Sequence, residues 1–311
     1  MVLNKRVFTS RKYLRLILLA TFVLTFFFGF LADVFQRAAD DWATRAWPGQ
    51  PHSSPIPKTL WYKLGPKGLT AEARAWTNTC IGNNTDYQVR FMTDSSADML
   101  IQEKFGATHP DLVEIYLGLN VPILKADLFR YLVLFSEGGV YSDLDVSCEV
   151  PISEWIPLRY KAEASVVVGW EFDVGWTLPF NHQFATWIIM AKPRSSHIWA
   201  VVQDIVQSLQ AKMEEKNISV EELNLQTFDD VINLTGPRRF TKSLLKSMGK
   251  AKAKQVQGIL EPKLAGDVLI LPGYAFAAST NFYDEDIELP PPLVTHHYAG
   301  SWRNRQGGEV A

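Results

Sequence analysis

The chain has 311 residues, of which 47% are hydrophobic and 21% are charged, so it is long enough to bury a core and has the composition of a globular protein. Its formal net charge of -2 excludes the overall positive charge that is typical of nucleic-acid-binding proteins. We therefore expect one large or two small domains and no nucleic acid among the partners.

The N-terminus has the pattern of a membrane anchor. Leu16 to Ala32 is apolar and uncharged, which is close to the roughly 20 residues that span a bilayer, and Lys and Arg residues precede it. Because basic flanks stay cytoplasmic, we predict a cytoplasmic tail at 1–12, a transmembrane signal-anchor at 13–35, a Pro- and Ser-containing stem at 36–55 and a lumenal domain at 56–311. The alternative is a cleaved signal peptide, although no small-x-small cleavage site follows at once.

Two further features agree with a secretory route. Asn-x-Ser/Thr triplets, the acceptors of N-glycosylation, begin at Asn83, Asn217 and Asn233. The two cysteines, Cys80 and Cys148, either form a disulfide in an oxidising lumen or remain buried thiols, and the sequence leaves both alternatives open.

From residue 56 onward, strand and helix patterns alternate. Strand patterns occupy 58–64, 87–93, 140–146, 164–172 and 267–272, and helix patterns occupy 96–105, 125–135, about 183–191 and 197–212. This alternation predicts a single α/β domain with a mostly parallel central sheet flanked by helices. Ligands of such sheets bind at the carboxyl ends of the strands.

The stretch from 125 to 148 places many charged groups among apolar ones. Asp127 and Arg130 are three residues apart and share a helix face, so they either border a pocket or form a helix-stabilising ion pair. Gly138-Gly139 follows the helix, where glycine permits a sharp turn and a close approach of the backbone to a ligand.

The strand predicted after this turn carries a candidate metal site. Asp143 and Asp145 alternate onto one side of it, about 6.6 Å apart at the backbone. Such a pair can share one divalent cation, and oxygen ligands suit Mg²⁺ or Mn²⁺ completed by phosphate oxygens. The same Asp-x-Asp triplet recurs at Asp284 to Asp286 without a helix, turn or strand pattern around it, which predicts a solvated loop.

Several motifs in order resemble a known family. Asp127-x-x-Arg130 followed by Gly138-Gly139-x-Tyr141-x-Asp143-x-Asp145 is similar to the DXD signature of the fungal initiation-specific α-1,6-mannosyltransferase family. The likeness covers most of the lumenal part, through IPKTLW (56–61), VVVGWEFD (166–173), NHQFATWIIMAKP (181–193), LTGPRRFT (234–241) and HHYAGSW (296–302).

The resemblance implies a GT-A-like fold and a single-pass enzyme of the Golgi membrane. It also implies a retaining, metal-dependent mannosyltransferase that uses GDP-mannose with Mn²⁺ (or Mg²⁺) and adds α-1,6-linked mannose to N-linked glycans of glycoproteins. A mannosyltransferase complex is a further partner that the resemblance suggests.

The DXD region receives its roles from this resemblance. Asp143 is expected to contact ribose or sugar hydroxyls and to share the metal with Asp145. Asp127 and Arg130 are expected to position the donor sugar, and Tyr141 lines the same side of the strand.

Outside the DXD region, the resemblance suggests four more binding residues. His296 is expected as a metal ligand, with His297 as the second choice. Trp61 is expected to stack on the nucleobase, as aromatic side chains do with any base. Ser301 and Trp302 are expected to close over the diphosphate.

The reaction itself leaves two routes open. Retention of configuration proceeds either by front-face attack or by double displacement, which needs a carboxylate nucleophile. Glu171 and Asp173, after the VVVGW strand, are the candidate catalytic carboxylates. The alternative functions are a transferase that acts on a sphingolipid head group or uses another sugar nucleotide, and a non-catalytic membrane-anchored subunit.

Overall fold

The computed structural model describes residues 54–176, 182–228, 230–249, 255–301, 303–304 and 307. The predicted tail, the transmembrane anchor and most of the stem lie outside these ranges. Among the described helices, none is both long and apolar enough to span a bilayer.

A mixed β-sheet forms the centre of the described part. The strands are Thr59–Lys63 (β1), Gln88–Met92 (β2), Gly139–Ser142 (β3), Val146–Cys148 (β4), Val166–Phe172 (β5), Gln183–Phe184 (β6), Ile188–Ala191 (β7), Lys263–Ala265 (β8), Val268–Leu271 (β9) and Val294–His296 (β10). The main sheet has the order β2-β1-β3-β7-β5-β9-β8, with β6 paired to β5, while β4 and β10 form a second, two-stranded sheet.

The strand directions correct the prediction of a mostly parallel sheet. β1 is parallel to β2 and β3, and β5 is parallel to β9. β7 lies between β3 and β5 and is antiparallel to both, and β8 is antiparallel to β9. Consequently β1, β2, β3, β5 and β9 all end at one edge of the sheet, and β7 begins there.

The inserted strand β7 comes from a segment that was predicted to be a helix. Residues 183–191 form β6 and β7, and Ile188–Ala191 is fully buried. A short apolar run has no periodicity that separates a buried strand from a buried helix. β7 pairs with β3 on one side and β5 on the other, and these hydrogen bonds favour the strand over a helix.

Helices cover the sheet. They are Ala71–Asn83 (α1), Asp94–Phe105 (α2), Pro110–Gly118 (α3), Pro122–Ser136 (α4), Ser196–Lys216 (α5), Val231–Leu234 (α6), Pro237–Met248 (α7) and Gly273–Ala277 (α8). Three of them, α2, α4 and α5, confirm helices predicted from the sequence. The inner strands β3, β5 and β9 are buried on both faces, which indicates that other elements cover both sides of the sheet there.

Helix α4, which is largely buried, carries the predicted charged pair. Pro122 at its first turn lacks the N–H that would be unsatisfied there, and nearly every side chain from Asp127 to Ser136 is buried. The helix ends at Ser136, and Gly138-Gly139 follow with φ angles of 69° and 104°, which glycine adopts without strain. The predicted sharp turn is confirmed, but a Cβ on Gly139 would meet the Thr59 carbonyl, so the close approach is to β1 and not to a ligand.

The second sheet is tied to α1 by a disulfide. Cys80 of α1 and Cys148 of β4 are joined, which resolves the two alternatives that the sequence left open. Asn84 adds a hydrogen bond from the backbone N–H of Ile152 to its side-chain oxygen, at 2.7 Å. The second Asp-x-Asp triplet, 284–286, is exposed and lies outside the helices and strands, as predicted.

Candidate active site

A cavity of about 430 Å³ opens at the edge where β1, β3 and β5 end. This is the position that the sheet topology predicts for a ligand. Its lining includes most of the predicted site residues, namely Asp127, Arg130, Tyr141, Asp143, Asp145, Glu171, His296 and Ser301.

One wall of the cavity is the ion pair of α4. Arg130 Nη2 lies 2.9 Å from Asp127 Oδ1, and both side chains are at most 5% exposed. Thr235 donates its hydroxyl proton to Asp127 Oδ2 at 2.7 Å, and Arg130 Nη1 donates to the Thr186 carbonyl at 2.6 Å. A buried charge is stable only when it is paired and hydrogen-bonded, and this pair meets both conditions. The pair therefore borders the cavity and stabilises its wall at once.

Arg130 also reaches the DXD motif. Its guanidinium lies over the Tyr141 ring, with 5.0 Å to the ring centroid, and its Nη2 is 3.5 Å from Asp143 Oδ1. Burial raises the pKa of Asp143 to about 6, although Arg130 opposes this shift. Arg130 thus holds the two acidic side chains Asp127 and Asp143 around one positive charge.

The DXD motif itself does not lie on a strand. β3 ends at Ser142, the backbone N–H of Asp143 still donates to the Trp187 carbonyl at 2.7 Å next to the β3–β7 pairing, and residues 144–145 form a turn before β4. The predicted alternation of Tyr141, Asp143 and Asp145 along one strand is therefore wrong beyond Ser142.

Asp145 faces the chain that follows β10. Its Oδ2 lies 3.3 Å from His296 Nε2 and accepts a hydrogen bond from the Ala299 N–H at 3.0 Å. Burial is the largest single influence and would raise the pKa of Asp145, but the hydrogen bond and charge of His296, together with the backbone hydrogen bond from Ala299, leave the pKa below its usual value. His297 points elsewhere: its ring stacks on Trp76 at 4.5 Å and its Nε2 lies 3.0 Å from the Ser147 hydroxyl.

These neighbours test how a metal ion would fit. In the described ranges, no three His, Cys, Asp or Glu side chains are grouped so as to hold a metal. The predicted ligand set of Asp143, Asp145 and His296 is not assembled, since Asp143 faces Arg130 while Asp145 faces His296. Asp145 and His296 nonetheless provide a carboxylate oxygen and an imidazole nitrogen close together. That donor set fits a partial shell, of the kind that Mg²⁺ and Mn²⁺ complete with water and phosphate oxygens.

The far wall of the cavity carries Glu171, at the end of β5. Its Oε2 accepts a hydrogen bond from Gln183 Nε2 at 2.6 Å, and the residue is 7% exposed. Burial raises the pKa of Glu171 to about 7, although the Gln183 hydrogen bond opposes the shift. A carboxyl group with such a pKa can exchange a proton at neutral pH.

Three predicted residues are placed elsewhere or not described. Trp61 is buried beside the Gly-Gly turn, where its Nε1 donates to the Gly138 carbonyl at 2.9 Å, and it does not line the cavity. Asp173 is buried behind the cavity, with its Oδ2 accepting from the Gly258 N–H at 2.8 Å and its Oδ1 3.3 Å from His182 Nδ1. Trp302 lies outside the described residues.

Sequence reasoning missed several cavity residues. Gln183, Thr186 and Trp187 line the cavity from the β6–β7 segment, and the helix predicted for this segment gave no indication that these side chains meet there. Thr235 stands in the motif LTGPRRFT, but nothing in the pattern shows that its hydroxyl reaches α4. Within the described part, Trp187 Nε1 and Arg130 Nε are buried without a hydrogen-bond partner, so two polar groups of residues that line the cavity are left unsatisfied.

Comparison with known proteins agrees with this site. A family model described as "Glycosyltransferase sugar-binding region containing DXD motif" matches residues 70–161. The initiation-specific alpha-1,6-mannosyltransferase of Schizosaccharomyces pombe is 29% identical over 266 residues, which cover 82% of this chain and 65% of that protein. The Candida albicans protein of the same name is 30% identical over 291 residues, covering 81% of this chain and 73% of its own length.

The name of a more distant relative refers to a different product. The mannosyl phosphorylinositol ceramide synthase SUR1 of Saccharomyces cerevisiae is 29% identical over 129 residues, covering 42% of this chain and 32% of that protein. The longer matches confirm the resemblance seen in the motifs and the prediction of an enzyme class. The chain belongs to the family of DXD-containing glycosyltransferases that includes the fungal initiation-specific α-1,6-mannosyltransferases.

Proposed function

We propose that this chain is a retaining mannosyltransferase that moves mannose from GDP-mannose to a glycan acceptor, forming α-1,6 linkages on N-linked glycans. The observation that carries the proposal is one cavity that collects the Asp127–Arg130 pair, both DXD carboxylates, His296 and Glu171 at the carboxyl edge of the sheet. The names of the relatives support mannose as the sugar and α-1,6 as the linkage.

Donor binding rests on the polar groups along the cavity. Arg130 and Asp127 bind hydroxyls of the mannose, and Asp143 accepts from ribose or sugar hydroxyls. Because the neighbours of Arg130 already fix its guanidinium, little side-chain entropy is lost when the donor binds.

Asp145 and His296 would hold Mn²⁺ (or Mg²⁺) together with oxygens of the diphosphate, and Asp143 joins them only if it turns away from Arg130. The ion supplies positive charge that stabilises the departing diphosphate. Ser301, which also lines the cavity, would donate its hydroxyl proton to a phosphate oxygen.

Glu171 is the carboxylate of the reaction. It is the one of the two candidates that lines the cavity, whereas Asp173 is engaged with Gly258 and His182. In the front-face route it orients the acceptor hydroxyl, whose oxygen bonds to the anomeric carbon as the diphosphate leaves and takes up the proton. In the double displacement, the Glu171 carboxylate bonds to the anomeric carbon as the diphosphate leaves, and the acceptor hydroxyl oxygen then displaces the carboxylate while its proton passes to the departed diphosphate. Gln183 holds the carboxylate in place for either route.

The cellular setting belongs to the same proposal. A type II protein of the Golgi membrane, with its catalytic domain in the lumen, agrees with the basic flank before residue 16, with the sequons and with the Cys80–Cys148 disulfide. Glycoproteins would then be the acceptors, and other mannosyltransferases would be partners in a complex.

The test is a turnover assay on the purified chain with Mn²⁺, a panel of sugar nucleotides and a mannose-containing N-glycan. We expect transfer from GDP-mannose and a product whose new linkage is α-1,6 by NMR. Absence of hydrolysis and transfer with every donor would instead favour the non-catalytic subunit.

A sphingolipid acceptor is the second candidate, because part of this chain matches a mannosyl phosphorylinositol ceramide synthase. The same assay separates the two when phosphorylinositol ceramide is offered beside the N-glycan. Transfer to the lipid alone would replace the glycan proposal.

A further inference from the structure

The strand order sets a linear order of side chains along the cavity. Moving across the edge, Asp94 follows β2, Lys63 ends β1, the DXD turn follows β3, Trp187 precedes β7 and Glu171 lies in β5. Neighbouring strands are about 4.8 Å apart, so Asp94 and Glu171 are separated by about 19 Å, with the DXD turn midway. This arrangement has the layout of an extended nucleoside diphosphate sugar, with a diphosphate in the middle and different chemistry at each end.

The two ends are chemically distinct. Glu171 and the Asp127–Arg130 pair occupy the sugar end. At the other end, Lys63 and Asp94 line the cavity beside Leu64 and Pro66 of the loop that follows β1. Thr70, Ala73 and Trp76, which recur every three residues along the start of α1, line it as well. Apolar surface with one ion pair at its rim suits the flat face and polar edge of a nucleobase.

The ion pair at the base end is held in a defined arrangement. Lys63 Nζ contacts Asp94 Oδ1 and donates to the Leu64 carbonyl at 2.9 Å. The Lys63 side chain is only 8% exposed, whereas that of Asp94 is 62% exposed. The lysine is therefore fixed by its surroundings, and the carboxylate keeps open space for further hydrogen bonds.

We propose that Lys63 and Asp94 read the Watson–Crick edge of guanine in the donor nucleotide. This edge presents an acceptor, O6, and two donors, N1–H and the 2-amino group. The ammonium offers donors and the carboxylate offers only acceptors, so the pair complements that order. This inference rests on the proposed use of a nucleotide sugar and names the residues that select its base.

The other bases fit this pair less well. Uracil has one N–H between two carbonyls, so its second carbonyl would face a carboxylate oxygen. Adenine and cytosine present an amino group where the lysine needs an acceptor. A wrong base leaves polar groups of the site unpaired, which is the strongest source of discrimination.

The experiment measures equilibrium binding of nucleoside diphosphates to the purified chain by calorimetry, with Mn²⁺ present. Wild type should bind GDP about tenfold or more tightly than IDP, which lacks only the 2-amino group, and also more tightly than UDP. Asp94→Asn should reduce GDP binding to the level of IDP. It should also improve binding of XDP, because an amide N–H can donate to the carbonyl that xanthine has in place of the amino group.

Asp98→Asn is the matched control, since Asp98 lies on the same helix, pairs with Lys125 at 3.0 Å and does not line the cavity. It should leave the order of affinities unchanged. Equal affinity of wild type for GDP and IDP, or unchanged discrimination in Asp94→Asn, would overturn the inference. Transfer from GDP-mannose by a protein that fails this test would leave the proposed function standing. Selective GDP binding without transfer to any acceptor would support the inference and contradict the proposed function.

Discussion

Arg130 organises the charge of the cavity through contacts with Asp127, Asp143 and the Thr186 carbonyl. The guanidinium is nearly enclosed, and losing one member of such a buried pair costs roughly 3–5 kcal/mol because the other charge remains uncompensated. The same side chain therefore serves stability and ligand binding. A substitution of Arg130 would therefore change stability and ligand binding together.

Asp145→Asn should reduce kcat/KM for mannose transfer by about 10²–10³-fold, since a neutral amide replaces the charged carboxylate that would bind the metal and that contacts His296. The check is a steady-state assay at several Mn²⁺ concentrations, where partial recovery at high Mn²⁺ is expected. Asp284→Asn, in the exposed acidic triplet, is the control and should match wild type. Wild-type rates in Asp145→Asn would remove Asp145 from the metal site.

Glu171→Gln should lower activity and raise stability at alkaline pH. The pKa of Glu171 is raised from 4.5 to about 7 by burial, so the folded state favours the protonated form and loses stability as pH rises through about 7. A neutral amide avoids this loss of stability. The size of the Glu171 pKa shift sets an upper limit of about 3 kcal/mol on the loss. Chemical denaturation should show a small difference at about pH 5 and most of the difference at about pH 9.

The same carboxylate should shape the pH profile of the enzyme. If the anion is the active form, the rate rises with pH through about 7 in wild type, and this limb disappears in Glu171→Gln. Gln183→Leu removes a hydrogen bond that lowers the pKa, so the limb should move to higher pH. A profile that is the same in all three proteins would exclude Glu171 from the reaction.

The turn between helices α6 and α7 is attached to helix α4 through Thr235. Thr235 donates to Asp127, and its own carbonyl accepts from the Tyr131 hydroxyl at 3.1 Å. Thr235→Val keeps the shape but leaves a buried carboxylate oxygen unsatisfied, so we expect a loss of about 1–3 kcal/mol in the free energy of unfolding. Urea denaturation measures this change.

Because Thr235 also completes the sequon of Asn233, the effect of a missing glycan must be separated. Asn233→Gln removes the same sequon and retains the hydroxyl, and Asn233 is exposed. It should change the free energy of unfolding by no more than about 0.5 kcal/mol. A loss of equal size in both variants would assign the effect to the glycan instead.

The elements differ in how far their sequences predict them. Helix α4 was predictable because it is long, apolar and ends in two glycines. Residues 183–191 were not, because a short run of buried residues is compatible with either element until its neighbours are known. Helix α1 was not predicted because its apolar and polar residues do not separate clearly onto two faces. The site residues on these two segments were missed with them.

For the whole molecule, the disulfide links parts that are distant in sequence. Cys80 and Cys148 are separated by 68 positions and join α1 to the sheet of β4 and β10, which carries His296 into the cavity. Replacing both cysteines with alanine should cost about 2–5 kcal/mol and lower the Tm. Calorimetry should show that a reductant lowers the Tm of wild type but not that of the double variant. Equal Tm values for the two proteins would mean that the cross-link does not stabilise the fold.

By itself, the sequence determined the family, the α/β class and most of the charged residues of the site, because these depend on motifs and on local periodicity. Only the tertiary structure decided that the sheet is mixed, that Asp143 and Asp145 face different partners and that Glu171, not Asp173, lines the cavity. It also placed Lys63 and Asp94 at one end of that cavity. These properties depend on which strands pair and which side chains meet across the edge of the sheet. Such contacts join residues far apart in the chain, and local sequence patterns carry no information about them.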